Sequence, residues 1–265
     1  VSHRPQEFAI DGNHALARGL VFAGLGRHIR STRYTDSSLR KIDGTLTNME
    51  TATDWVWDQT LGRWCIDCDG TDEYVNCGTS SILNPTGGMS FGAWVNVSIL
   101  TTEKWIIGRD QHAARSYSFG WSSSNKLYLQ INGAATRVGT TILSASTWYH
   151  CAFRGNSAIG WEIYLNGKRN ATAAAWVAPN ATATATNIGR RSYVAYYGYW
   201  AGKIADALIA NRAWSVAEIQ QLADPGNVML SGLVMPERRR VWAGVVAASS
   251  NVRAVHHHRQ MMGAA

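Results

Sequence analysis

The feature that most constrains this chain is a series of short alternating segments between residues 88 and 211, each closed by Gly, Asn, Asp or Ser. "GMSFGAWVNV", "KWIIGRD", "SYSFGWS", "KLYLQIN", "TWYHCAFR", "WEIYLNG" and "WAGKIADALIANR" repeat β-branched or aromatic residues with a period of two, which puts them on one face of a strand. In "WEIYLNGKRNAT" (161–172), Asn166-Gly167 is a hairpin signal, because both central residues of a type I′ turn take φ > 0. "RWCIDCDG" (63–70) and "DEYVNCG" (72–78) alternate in the same way, and the Asp69-Gly70-Thr71-Asp72 link between them predicts a second hairpin. The period changes to a helical one only in "SVAEIQQLAD" (215–224). There Ser215 is an N-cap, Glu218 completes a capping box, and Ile219 and Leu222 share a face. The pattern predicts an all-β, antiparallel two-sheet sandwich followed by one short C-terminal helix.

A chain of 265 residues with 46% hydrophobic residues can fill one large β core, and 12 Trp with 25 Gly suit short strands and tight turns better than helical bundles. The net charge of +7 raises the question of nucleic acid. The basic excess collects in 26–34, 190–192 and 236–242, however, and no helix carries a basic stripe interleaved with aromatics. The expectation is therefore contact with an acidic protein surface rather than with nucleic acid. No apolar run approaches bilayer length, and residues 1–18 lack the three regions of a signal peptide.

Cys65, Cys68, Cys77 and Cys151 do not form the two close pairs of a zinc site, and residues three apart on a strand face opposite sides. They read as buried thiols, with Cys68–Cys77 and Cys65–Cys151 as the alternative disulfide pairs. Residues 1–18 show no period and read as an arm, 19–224 as the sandwich, and 225–265 as a basic, apolar tail.

Several stretches together resemble the laminin-G-like, concanavalin A-like jelly-roll family. "ARGLVFAG" with "DGTLTNM" is similar to its opening strands, and "CIDCDGTDEYVNCG", "MSFGAWVNV", "STWYHCAF", "EIYLNGKR" and "WAGKIADALIANRAWSVAEIQQL" resemble its later elements in the family's order. The resemblance covers roughly residues 19–223 and implies a jelly roll whose hairpins join neighbouring strands. This fold hosts lectins, adhesion modules, glycosidases and virion proteins alike. The ending "LADPGNVMLSGLVMPERRRVW" is similar to tails attached to such domains in tailed bacteriophages and environmental bacteria.

A glycosidase needs two carboxylates about 5–9 Å apart. The acids between 103 and 206 are Glu103, Asp110, Glu162 and Asp206, each isolated, and there is no Gly-x-Ser-x-Gly elbow, so no enzyme activity and no required cofactor are expected. His150, two residues after Trp148, reads as structural. The resemblance implies a calcium ion in many relatives. Asp69 and Asp72 flanking their turn, with Asp206 at the second acidic place of a family motif, would be its ligands, although Ala205 stands at the first acidic place. "RRSYVAYYGYW" (190–200) supplies ligand-binding candidates: Tyr193, Tyr196, Tyr197, Tyr199, Arg190 and Arg191. Trp200 reads as core, and Trp121, Trp161 and Trp176 as core or sheet-face residues.

The sequence reading is a non-enzymatic bacteriophage virion protein: a capsid decoration protein, head fibre or tail-associated adhesin. It would join other virion subunits or copies of itself through its arms, with Arg238, Arg239, Arg240 and Trp242 as assembly contacts. The alternative is a lectin module for cell-surface polysaccharide, secreted or at a bacterial surface.

Overall fold

The computed structural model describes residues 8–26, 31–111, 114–193, 198–226 and 233–236. Its strands, in chain order, begin with β1 (Phe8–Ile10), β2 (Leu20–Gly24), β3 (Arg33–Tyr34), β4 (Gly44–Thr47), β5 (Trp55–Asp58) and β6 (Arg63–Asp69). Next come β7 (Tyr74–Asn76), β8 (Gly88–Val97), β9 (Lys104–Gln111), β10 (Ala114–Trp121), β11 (Leu127–Ile131) and β12 (Ala134–Val138). Last are β13 (Trp148–Asn156), β14 (Gly160–Leu165), β15 (Lys168–Arg169), β16 (Asn187–Ile188), β17 (Ala201–Ala210) and β18 (Val234–Pro236). The helix α1 spans Val216–Leu222, between β17 and β18.

Two antiparallel sheets pack face to face. One runs β15-β14-β13-β8-β17-β6-β5, with β2 also paired to β17, and is called here the covered sheet. The other runs β12-β11-β10-β9-β16-β7-β4-β3 and is called the open sheet. This is the predicted two-sheet sandwich with one short helix near its C-terminal end. In β11 the burial alternates, with Leu127, Leu129 and Ile131 inside and Tyr128 and Gln130 outside, as expected of a strand with one wet face. In β8 nearly every residue is buried, because both faces are covered. Phe91, Phe119 and Phe153 meet at the centre with ring separations of 5.2–6.2 Å, and Trp121 meets Trp200 edge-on at 5.3 Å. Trp161 is also in the core, with Trp176 half-buried and stacked on it at 4.5 Å.

The hairpin at Asn166-Gly167 forms as predicted: φ is +48° and +76° at the two residues, and Tyr164 pairs with Arg169. The helix also forms, with both halves of its capping box made by Ser215 and Glu218. The second predicted hairpin does not form. β6 pairs with β5 and β17 in the covered sheet, whereas β7 pairs with β4 and β16 in the open one, so the 69–72 link climbs from one layer to the other. Gly70, at φ +85°, turns the chain there, and β6 makes its hairpin with β5 instead. Turn residues between two alternating runs look the same whether the chain reverses within a sheet or changes sheets.

The folded body also reaches beyond 19–224. β1 pairs with β18, the Asp11 amide donates to the Leu233 carbonyl at 2.8 Å, and Ile10, Leu16, Leu233 and Val234 are buried. They join Trp214, Ile219 and Leu222 over Ala152, Tyr164, Leu208 and Ala210, sealing the outer face of the covered sheet. Arg212 ties this layer together, donating to the carbonyls of Ala15 and Arg18 and to both carboxylate oxygens of Glu218. No helix among the described residues is long and apolar enough to cross a membrane.

The four cysteines are free and buried. Cys65 lies in an outer cluster with Trp94 and Ala205, while Cys68 lies in the central core, the opposite-face placement expected of positions three apart. Burial pushes the Cys65 thiol up to about 12, so it stays protonated.

Candidate functional site

The outer face of the open sheet is built by the polar half of the alternation. Tyr117, Phe119 and Trp121 of β10 turn inward with the apolar residues of β11, so Ser118, Tyr128 and Gln130 turn outward. In β7, Val75 is core and Tyr74 is outward and half-buried. Trp105 of β9 lies 5.9 Å from Tyr128 and is covered by the segment that precedes β17.

That segment carries the predicted ligand residues. Arg191 lies across Gly108, where an added Cβ would come within 2.6 Å of Arg191 Cβ, so glycine is what permits the close approach. Its guanidinium sits 4.7 Å from the Trp105 ring and 5.4 Å from that of Tyr193. It donates to Gln130 Oε1 at 3.3 Å and lies 3.8 Å from Asp110. Arg115 also lies 3.8 Å from Asp110, and 5.5 Å from the Tyr193 ring. Burial pulls the Arg191 pKa below its ordinary value, and the nearby Asp110 carboxylate offsets only part of that. Arg190 sits 3.5 Å over the Tyr74 ring and donates to the Tyr199 hydroxyl at 3.2 Å, with the two tyrosine rings 6.3 Å apart.

The structure thus brings Arg190, Arg191, Tyr193 and Tyr199 together, and alters the role expected of the arginines. Arg191 is 8% exposed and acts as a strut beneath the rings rather than as a surface contact. Tyr196 and Tyr197 lie outside the described residues, as do Arg238, Arg239, Arg240 and Trp242. The sequence reading did not single out Tyr74, Trp105, Asp110 (named only as an isolated acid), Arg115, Tyr128 and Gln130 as parts of a site. The first, second and fifth were legible as aromatics in alternating runs, but which face they take depends on the register of the whole sheet.

The predicted calcium ligands do not form a set. Asp69 closes its own turn, accepting from the Thr71 amide at 2.7 Å, and Asp72 accepts from Asn48 Nδ2 at 3.0 Å. Asp206, at φ +51° in a bulge of β17, is buried and ion-paired with Arg63. Among the described residues no three of His, Cys, Asp or Glu converge as metal ligands would. Near the 69–72 corner, burial pushes the Glu73 carboxyl up to about 7, helped by the charges of Asp54 and Asp69, and the carboxyl accepts from the Asp69 amide at 2.6 Å.

His150 has the structural role expected of it. It is buried, edge-on to Trp94 at 5.5 Å, and burial pulls its pKa down to about 3, aided by Arg63. Glu162 is held by Arg154, Arg169 and the Tyr164 hydroxyl; burial raises its pKa, but these partners outweigh that and leave it below the usual carboxylate value.

The chain belongs to the concanavalin A-like lectin/glucanases superfamily, whose laminin-G-type model matches residues 69–220, more than half of its length. No curated protein matches the sequence. Among solved structures it is similar to domain 4 of AbnA, an extracellular arabinanase from Geobacillus stearothermophilus in complex with arabinotriose. The TM-score is 0.60 at 15% identity, over 77% of this chain and 98% of that domain. A Trypanosoma rangeli sialidase mutant with trans-sialidase activity is similar at a TM-score of 0.60 and 14% identity, over 79% of this chain and 33% of the sialidase. The binding domain of Paraclostridial Mosquitocidal Protein 1 aligns at a TM-score of 0.59 and 13% identity, over 79% of this chain and 52% of that one. The chain therefore spans about a third of the sialidase's length, and at these identities the likeness is one of fold.

Proposed function

We propose that this chain is a non-catalytic carbohydrate-binding module that takes a saccharide on the outer face of its open sheet. The observation that carries this reading is the set of half-buried tyrosines, Tyr74, Tyr128, Tyr193 and Tyr199, with the guanidinium of Arg190 packed on Tyr74 and that of Arg191 on Tyr193. Flat rings with polar tips suit the C–H faces and hydroxyls of sugars, and side chains fixed in advance lose little entropy on binding. The arabinotriose bound to the similar arabinanase domain supports the same reading.

Non-catalytic is the reading because Asp110, the buried acid of this face, is held between two guanidinium groups rather than left to a sugar. Sugar release by the purified chain would overturn it. Such a module would work on a virion or at a bacterial surface. The adhesive half of the virion reading is retained here; its proposed assembly contacts lie in a segment outside the described residues.

The test is a screen on a polysaccharide array, followed by titration of the best hit against Tyr199→Ala. The proposal expects binding to fall about tenfold or more, as when an aromatic anchor is lost, while the thermal midpoint moves little. An array without hits, or unchanged affinity in Tyr199→Ala and Tyr128→Ala alike, would overturn it.

A further inference from the structure

The tyrosine face is not electrically uniform along its strands. β7 and β9 both pair with Asn187 of β16, through Asn76 and Gly108, and so begin at the same end of the open sheet. Asp69, Asp72 and Glu73 precede β7 and Glu103 precedes β9, which gathers acids at that end, with Tyr74 and Tyr199. At the other end, where β9 finishes and β10 starts, the buried carboxylate of Asp110 has Arg115 and Arg191 each 3.8 Å away. Both separations exceed the roughly 2.7–2.9 Å of a charge-assisted hydrogen bond. A third guanidinium, that of Arg109, is buried on the inner side of β9. It donates to the carbonyls of Thr79, Ser80 and Thr182 and to the Thr186 hydroxyl, none of them charged. Burial lowers the pKa of Arg109 as it does that of Arg191, the mark of positive charge with too little compensation.

Arg115 is the member of this group that a ligand can reach, its side chain 31% exposed against 9% for Arg191. It packs on Gly133, at φ +80°, where an added Cβ would collide with Arg115 Cδ. Its Nη1 donates to the Gly133 carbonyl at 3.2 Å, and its guanidinium lies 5.5 Å from the Tyr193 ring. The glycine turn, the carbonyl, the ring and Asp110 together fix its direction, while Nη2 has no hydrogen-bond partner among the described residues.

We infer that the saccharide is an acidic one, a uronate whose carboxylate docks on Arg115 beside the Tyr193 ring. This rests on the saccharide reading and adds to it the class of sugar and the direction in which it lies. A carboxylate is matched to a guanidinium fork and supplies the negative charge that Asp110 alone does not. A uronate joins that group to a ring whose C–H face suits a tyrosine. The acids near Tyr74 repel the carboxylate from the opposite end, so the two ends of the face set one orientation. Because Arg115 is already held in place, the ordering cost of docking is low.

The test titrates the full chain with polygalacturonate, alginate and hyaluronate, with methyl-esterified polygalacturonate, arabinan and dextran as uncharged counterparts and dextran sulfate as a charged one. At least one uronate polymer should bind about tenfold or more tighter than the uncharged ones, and the preference should fade as salt rises from about 0.1 to about 1 M. Arg115→Gln should abolish the preference with little change in thermal midpoint, and Arg115→Lys, which keeps the charge but not the fork, should recover part of it. Lys168→Gln removes an exposed cation from β15 in the other sheet and should have a small effect. Uncharged polymers that bind as well as the uronates, and lose affinity in Tyr199→Ala, would leave the saccharide reading standing and overturn this one. Dextran sulfate bound as tightly as the uronates, or equal losses in Arg115→Gln and Lys168→Gln, would overturn it by reducing the binding to net charge. Binding to none of the polymers would overturn both readings.

Discussion

The two outer faces of this sandwich are made from the same kind of alternating strand and have opposite fates. The outer face of the covered sheet presents Ala152, Tyr164, Leu208 and Ala210, and a helix and a two-stranded ribbon close over them. The outer face of the open sheet presents Tyr74, Tyr128 and Gln130, and is overlain by a segment whose arginines stack on aromatic rings. Small and apolar outward residues call for a cover, since leaving them wet forfeits about 25 cal/mol per Å². Aromatic and polar outward residues can remain at a water boundary, where they are available to a ligand. The contrast separates a face that supplies stability from one that can bind.

The largest effect should come from opening the covered face. Trp214 is 1% exposed beneath α1, and Trp214→Ala should cost about 3–5 kcal/mol in chemical denaturation, as large core truncations do. Saccharide binding by the remaining folded protein should be retained. A loss below about 1 kcal/mol would mean that the helix layer is not integral to the fold.

The next concerns acid. His150 binds its proton far less readily folded, at about 3, than unfolded, so between those values the unfolded chain takes up more protons. Its stabilising contribution is complete above pH 6.5 and is lost as pH falls. Between pH 6.5 and 4 the loss is roughly 3 kcal/mol at 1.36 kcal/mol per unit. His150→Phe should flatten stability against pH over that window; an unchanged slope would assign the acid sensitivity to other groups. Glu73 acts in the opposite sense. Its folded value of about 7 lies above the ordinary 4.5, so its contribution is present below pH 4.5 and is lost as pH rises through 7. Glu73→Gln should therefore raise the thermal midpoint more at pH 8 than at pH 5.

The smallest effect should come from the open face. Tyr128 is half-buried and its hydroxyl accepts from Gln130 Nε2 at 3.0 Å, so Tyr128→Ala should change stability by about 1 kcal/mol or less. A larger cost would show that this face too is structural, and would erase the contrast.

Much of the fold was legible in the sequence because its signals are local. Ser215 and Glu218 are three residues apart, and Asn166 and Gly167 are adjacent, so cap and turn need no distant partner. The 69–72 link misled because the chemistry of a turn does not record which sheet receives the next strand. Of the candidate site, the tyrosines and arginines of 190–200 stood out by composition, but their burial did not. Arg191 became a strut only when Gly108, Gln130 and Asp110, distant in sequence, came beneath it. Asp206 matched a family motif locally, and Arg63 claimed it from 143 residues away.

By itself the sequence determined the period-two strands, the single capped helix, the small number of charges to be housed and the class of sandwich they build. Those follow from side-chain alternation and backbone preference, which act within a few residues. Only the tertiary structure decided which outer face is sealed, which aromatics share a surface, and that the two ends of the described chain meet in one ribbon. Each of these depends on strand order and register between residues far apart in the chain, and a one-residue slip would turn every one of those side chains to the other face.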